Sequence, residues 1–516
     1  MSKITAETSV AEIVQENPNA REIFDRHGLK GCGGAHGPSE PLSFFASVHQ
    51  VDVAKLLQEL NREAPARQVP YTYKEGPADV IYRRFFKAAI VTVLSVGALW
   101  GAISLAQIAI GRTFLQLNLL PAIHAHAQAM ISGWVGLFVM GFAYQSFPRF
   151  KNTTLWRPEL ANMSLFLVVV GFCSRIVAEL SAPAGPSLFF GVLGFGLEMM
   201  AGLIFVAVLL NTARKSLEPR AKYERFILGS LFWFLIQIPL SYLLFFAKVL
   251  APTQDQAVMR IAMIDGPLRD IQLLGFAALI IAGVSQRFVP LVYGLQPPKR
   301  DYMKLIFWRI NGSLVLNVAS YLLLLTTFKP AYVLDLEFAY LLMPVWAILL
   351  AKQIGVFRTP QRSDRSFKFI RAAYIWLLVA AFMLPLFPVY SRLTHQLFAH
   401  SWIGSYRHAF TVGFISMMIL GVSSRVVPIL AGVDSSKLTS LWGPFILLNI
   451  GNAGRVSLQV LSDWYPNIAY SLIGFTGFIE LTALAWWGVH LWRIMNLART
   501  RRPASLTMNV PIEAVR

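Results

Sequence analysis

Six of the nine histidines fall in the long apolar part of the chain, where an imidazole is expensive; one of them, His490, is near the end of the last apolar segment. His124 and His126 open one apolar segment. His395, His400 and His408 come before and inside another, and no histidine lies between the two groups. A histidine inside a membrane helix needs a hydrogen bond or a metal to offset its burial. His126 and His408 each fall about one turn inside the same membrane face. Neutral imidazoles facing each other from two helices suit the axial positions of a six-coordinate haem iron. The plainer alternative is two histidines bonded to backbone or water. His124, two residues from His126, points to roughly the opposite side of a helix, either to a second metal or haem or to the outer water. His395 and His400 are expected in the loop before the later segment. Solvated histidines are ordinary there, and copper or a second haem is the functional alternative.

Two arginines in apolar segments belong to the same set. Arg175 and Arg455 each follow a glycine by four residues (Gly171, Gly451) and lie towards the same face as the histidines. An intramembrane guanidinium needs an anion, which haem propionates or an internal glutamate such as Glu198 or Glu480 would supply. Glu198, Glu337 and Glu480 recur about one repeat apart. They suggest a proton path or, more simply, structural pairing with arginine.

The elements that carry these residues are legible from composition. The 516 residues are 55% hydrophobic and 14% charged, with a mean hydropathy of +0.54, which points to a membrane class. Twelve apolar runs, each long enough to cross a bilayer as a helix, are expected near 88–110, 120–147, 160–181, 186–212, 225–250, 266–295, 303–327, 332–355, 367–391, 404–431, 437–461 and 465–495. The fold class is all-α and polytopic. The net charge of +19 concentrates in alternate loops, among them Arg83, Arg84 and Lys87, then Arg149, Lys151 and Arg157, then Arg358, Arg362 and Arg365. That pattern places both termini in the cytoplasm and removes any need for nucleic acid as a partner; the lipid bilayer is the expected one. With Cys32 expected in the cytoplasm and Cys173 within a membrane helix, a structural disulfide is not expected.

The membrane part is trebled. Gly133, Gly141 and Pro148 recur as Gly275, Gly283 and Pro290 and again as Gly413, Gly421 and Pro428. The offsets along the chain are 275 − 133 = 142 and 413 − 275 = 138. Each repeat therefore holds four helices, and an even number keeps the three copies in one orientation. The chain divides into a small helical unit (1–66), a linker (67–87), the twelve-helix domain (88–495) and a basic tail (496–516). In the small unit, helices are expected from Ser9 through Val14, from Ala20 to His27 with a stop at Gly28, and near Leu42–Val48 and Asp52–Asn61.

The stretch from His124, Ala125 and His126 to Gly133 and Trp134 resembles the second-helix motif of the NnrS family and, more distantly, subunit I of the haem-copper oxidases. So does the stretch from Arg407 and His408 through Gly413 to Arg425. The resemblance implies a haem b held by His126 and His408, copper as a further cofactor, and a link to nitric oxide. It departs from the oxidases at Tyr406, where they carry a second haem ligand, and in lacking histidines in the sixth and seventh segments. Oxygen reduction at a standard binuclear centre is therefore not expected, and any copper would fall to His124, His395 and His400, the obvious remaining histidines. The chain up to Asn61 is similar to the N-terminal domain of ScdA-type iron-cluster repair proteins, through Val10–Val14, Pro18, Phe24, His27–Gly28, Cys32–Gly34 and Leu56–Asn61. Those proteins have adjacent cysteines where this chain has Gly31 and Cys32.

These observations imply a haem protein of the bacterial inner membrane in the response to nitric oxide, served by a redox partner such as a quinol or cytochrome. A twelve-helix transporter of an anionic substrate and a divergent nitric oxide reductase are the alternatives.

Overall fold

The computed structural model describes residues 4–30, 32–62, 76–114, 117–182, 185–296, 298–329, 331–396 and 399–500. The first part of the expected linker, 67–75, and the tail from 501 onward lie outside them. Among the described residues the only extended pairing is one isolated bridge, Ser9 to Pro41; everything else regular is helical. The chain divides into two compact units. One draws on the stretch up to Val80, on Ser423–Thr439 and on the chain from Gly488 onward; the other takes Ile81–Val422 and Ser440–Trp487.

The first unit begins with four short helices, α1 (Val10–Glu16), α2 (Ala20–Arg26), α3 (Leu42–His49) and α4 (Val53–Asn61). Ser9 starts α1 through a capping box: the Glu12 N–H donates to Ser9 Oγ, and the Ser9 N–H to the Glu12 carboxylate, each at 3.1 Å. Gly28 ends the turn after α2 at φ +98°, a conformation that suits glycine. Asp52 caps α4 through the Ala54 N–H (2.8 Å). The core is Val10, Ile13, Phe24, Leu29, Leu42 and Leu56, with Cys32 half-buried against it. In the same unit Arg425 pairs with Glu40 at 2.9 Å.

The remaining helices are α5 (Ile81–Gly111), α6 (Leu120–Phe150), α7 (Pro158–Ser181), α8 (Pro186–Arg214), α9 (Glu224–Val249), α10 (Gln254–Tyr293), α11 (Met303–Thr327), α12 (Ala331–Ile354), α13 (Phe367–Met383), α14 (Phe387–Thr394), α15 (His400–Ala431), α16 (Trp442–Leu461) and α17 (Pro466–Thr500). Ten are long and apolar enough to cross a membrane. The α13–α14 pair, bent by 58°, makes an eleventh. The twelfth expected span is α16, whose 20 residues include Asn449, Asn452, Arg455 and Gln459 and are less apolar than the others. Large apolar side chains such as Phe166, Phe189, Phe232 and Phe475 face outward, as a bilayer requires. The protein is an all-α polytopic membrane protein.

The threefold repeat is visible in the packing. A Cβ on Gly133 would lie 2.4 Å from Thr92 Cγ2 on α5, one on Gly275 2.7 Å from Trp233 Cγ on α9, and one on Gly413 2.5 Å from Trp376 Cγ on α13. One turn pair further on, Gly141, Gly283 and Gly421 meet Phe85, Phe226 and Ile370 of the same three helices. Only glycine permits this approach. Each of these glycine helices also contains an eight-residue π-helical segment, Ala129–Gly136, Ile271–Ala278 and Ala409–Ser416. Their starts are offset by 271 − 129 = 142 and 409 − 271 = 138, the same intervals as the glycines. π segments are rare and concentrate at functional sites; nothing in the side-chain pattern announced them.

Several boundaries differ from the sequence reading, and two bear on the site. The sixth span starts at Gln254 rather than near 266, so Asp265 lies inside a helix together with Arg269 and Asp270. The tenth starts at His400 rather than 404, so His400 opens a helix instead of sitting in a loop.

Candidate functional site: paired histidines and buried charge

α6 and α15 are neighbours: the Trp134 indole N–H donates to Ser416 Oγ across them at 3.1 Å. Above that contact stand His126 and His408, within charge-interaction range of each other. His126 Nδ1 lies 2.9 Å from the Gly97 carbonyl oxygen on α5. A carbonyl only accepts, so Nδ1 carries the proton and donates, which leaves the Nε2 lone pair free. The Gly97 carbonyl is available because α5 passes through a π segment, Val93–Gly97, and Gly97 leaves helical geometry at ψ −108°. Gly101 makes room for the ring, since a Cβ there would lie 2.6 Å from His126 Cε1. His408 repeats the arrangement within its own helix, donating from Nδ1 to the Gly404 carbonyl at 3.0 Å. Both rings are thus oriented by backbone through Nδ1.

The two histidines are not register mates. His408 stands five residues before its glycine, as do Gln128 and Asp270, whereas His126 stands seven before, as do Leu268 and Tyr406. The two histidines therefore come from different positions of the repeat.

Arg455 on α16 lies within charge-interaction range of both imidazoles. It is buried, and its Nη1 has no hydrogen-bond partner; nor has Glu480 Oε1. Arg455 and Glu480 lie within charge-interaction range of each other, but Nη1 and Oε1 are not joined by a hydrogen bond. Two free Nε2 lone pairs beside an unpartnered cationic N–H can accept a metal-centred group that carries anionic arms.

Arg175 behaves differently. It pairs with Glu179 one turn along α7 at 2.8 Å, and its guanidinium lies 4.2 Å from the Phe245 ring and 4.8 Å from the Tyr242 ring on α9. Glu179 also accepts from Lys248, whose ammonium donates to His124 Nδ1 at 3.3 Å. His124 therefore joins a buried charge cluster and faces neither iron partner nor open water. His395 is exposed at the end of α14, and His400 is exposed at the start of α15 with its ring 6.1 Å from Phe114. His124, His395 and His400 form no metal-ligand cluster: among the described residues no group of three or more His, Cys, Asp or Glu is placed to hold an ion.

Glu198 does not pair with arginine. Its carboxylate accepts from Gln128 Nε2 (3.0 Å), Ser132 Oγ (3.1 Å) and Tyr242 Oη (3.0 Å). The sequence reading missed a further set on α10 and α15. Asp265 bridges Arg269 (3.0 Å) and Arg407 (3.1 Å), and Asp270 accepts from Asn317 at 3.1 Å. Asn317 holds the register of Arg175 and Arg455, at offsets of 317 − 175 = 142 and 455 − 317 = 138. Extending the repeat to polar positions would have found it.

No curated protein matches the chain. The family model described as NnrS protein matches residues 80–499, from the start of α5 to the end of α17 and well over half the chain. The chain belongs to the NnrS family.

Proposed function

We propose that this protein is a haem-binding membrane protein of the nitric oxide response, seated in the bacterial inner membrane with both termini in the cytoplasm. The observation that carries the reading is the His126–His408 pair: each imidazole donates from Nδ1 to a backbone carbonyl and keeps Nε2 for iron. Arg455 supports it, because its buried, unpartnered Nη1 is the donor that a propionate would need. His126 and His408 would hold haem b as axial ligands, and Arg455 would hold a propionate. Arg175, already neutralised by Glu179, is left with a structural part. Bound there, the haem supplies one-electron chemistry. The protein supplies orientation: α5 backs the His126 ring, and the π segments of α6 and α15 follow the two ligands. A haem held by both His126 and His408 would suit electron exchange with a quinol or cytochrome better than binding a gas. The inner-membrane topology rests on the basic loops that follow α6, α8, α10 and α12.

Absorption spectra of the purified wild type, His126→Ala and His408→Ala after haem-replete expression test the proposal. The wild type should show a six-coordinate low-spin haem that each substitution abolishes or converts to another coordination. A wild type without a Soret band, or variants with unchanged spectra, would overturn it.

A further inference from the structure

Glu198 is 3% exposed, near the middle of α8, and no cation among the described residues pairs with it. Its neighbours come from α6, α7 and α9. From α6 come Gln128 and Ser132, both neutral. From α9 come Tyr242, which donates to Oε1, and Gln237. From α7 comes Arg175, turned to Glu179 instead, while the Cys173 thiol is exposed. The charged groups next along these helices, Arg175, Glu179, Lys248 and His124, are paired among themselves. An ionised carboxylate with only neutral partners at such depth is costly, and neutralisation by a proton is the usual escape.

Two more features decide what the site can do. The Gln128 amide is fixed, because its Oε1 accepts from Ser241 Oγ at 3.1 Å, so Nε2 must face Glu198. The Ser132 and Tyr242 hydroxyls are not fixed: each can donate to a carboxylate or turn and accept from a carboxylic O–H. The same ring therefore satisfies both protonation states. The carboxyl also opens on a narrow cavity of about 10 Å³ lined by Ser132, Gly136, Met140, Ala201 and Gly202. That is roughly the room one water molecule needs.

We propose that Glu198 is a proton-uptake site inside the membrane domain, exchanging its proton with water held in the adjoining cavity. On uptake a hydronium in the cavity gives its proton to the carboxylate and leaves water; on release the carboxylic O–H returns it to water. No other bond changes. This goes beyond the haem reading and does not need it.

Infrared difference spectra of the full-length protein between acid and alkaline pH test the site. The wild type should show a carboxylic C=O band that appears on acidification, shifts in heavy water and is missing from Glu198→Gln. Tyr242→Phe should move that band without removing it, which identifies the carboxyl even if the glutamine variant does not fold. Ala201→Val, which narrows the cavity, should slow the heavy-water shift. A wild type with no such band at any pH where it stays folded, a band that ignores pH, or a band that never shifts in heavy water would each overturn the proposal. None of these outcomes bears on the Soret test of the histidine pair.

Discussion

His124 and His126, two residues apart on α6, are held by opposite sides of the bundle: the first accepts from Lys248 Nζ at 3.3 Å, and the second donates to the Gly97 carbonyl at 2.9 Å. One side of the helix faces fixed charge and the other carries a backbone-oriented imidazole. The pair predicts different consequences for substitutions on either side.

On the His126 side, Gly101→Ala should displace the imidazole, because the new methyl would lie 2.6 Å from Cε1 and 2.9 Å from Nδ1. Disturbing a ligand's support typically costs about 10- to 100-fold in affinity. Haem retained per protein, read from the Soret to protein absorbance ratio after washing, should fall accordingly. Gly196→Ala, which meets nothing within 4 Å, should leave it unchanged.

The two arginines should separate in the same way. Arg175→Ala strips Glu179 of one of its two cationic partners, a buried break of the kind that costs about 3–5 kcal/mol. The melting temperature in detergent should drop while the haem spectrum keeps its shape. Arg455→Gln removes an Nη1 that has no hydrogen-bond partner, so the haem midpoint potential and retention should shift, which the Arg175 variant should leave unchanged. Equal effects of both on the spectrum would contradict this division.

The glycine contacts predict a rescue. Gly133→Ala should destabilise by about 1–3 kcal/mol through overpacking, since its Cβ would lie 2.4 Å from Thr92 Cγ2. Thr92→Ser deletes that methyl, and the other contacts of Gly133 are at 3.3 Å. The double variant should recover most of the lost thermal stability; failure to do so would mean that the glycine serves the π segment rather than the packing.

At the surface, the Lys222 hydrogen bond holds the Asp301 carboxyl below the usual carboxylate range, helped by the Met303 N–H. A depressed folded value means stability that is present above the unfolded pKa of about 3.9 and lost as pH falls through the lower folded value. Both side chains are well exposed, so the pair is worth no more than about 1 kcal/mol and is weakened by salt. Asp301→Asn should lower the melting temperature slightly at pH 7, and the difference from wild type should close as the pH falls through and below the usual carboxylate range.

Much of this was legible without coordinates. The spacing of Gly133, Gly275 and Gly413 fixed both the repeat and its close packing, because a missing Cβ is a steric fact at each site. The capping residues Ser9 and Asp52 set two helix starts by hydrogen bonds local to the chain. The histidines stood out because their type is costly in apolar surroundings. What composition hid were charges that become affordable only through distant partners. Asp265 read as loop, yet it lies within α10, where Arg269 and, far along the chain on α15, Arg407 neutralise it.

The sequence by itself determined the class of protein, the three copies and the identity of the residues able to ligate or ionise. Those follow from hydropathy, period and side-chain chemistry, which are properties of the chain alone. Tertiary structure decided which polar groups meet: Arg175 with Glu179 rather than Glu198, Glu198 with neutral donors, and His126 with a carbonyl freed by the π segment in α5. In a bilayer every buried polar group must find its partner within the protein. The choice among partners depends on the rotation and crossing of whole helices, which no local stretch of sequence records.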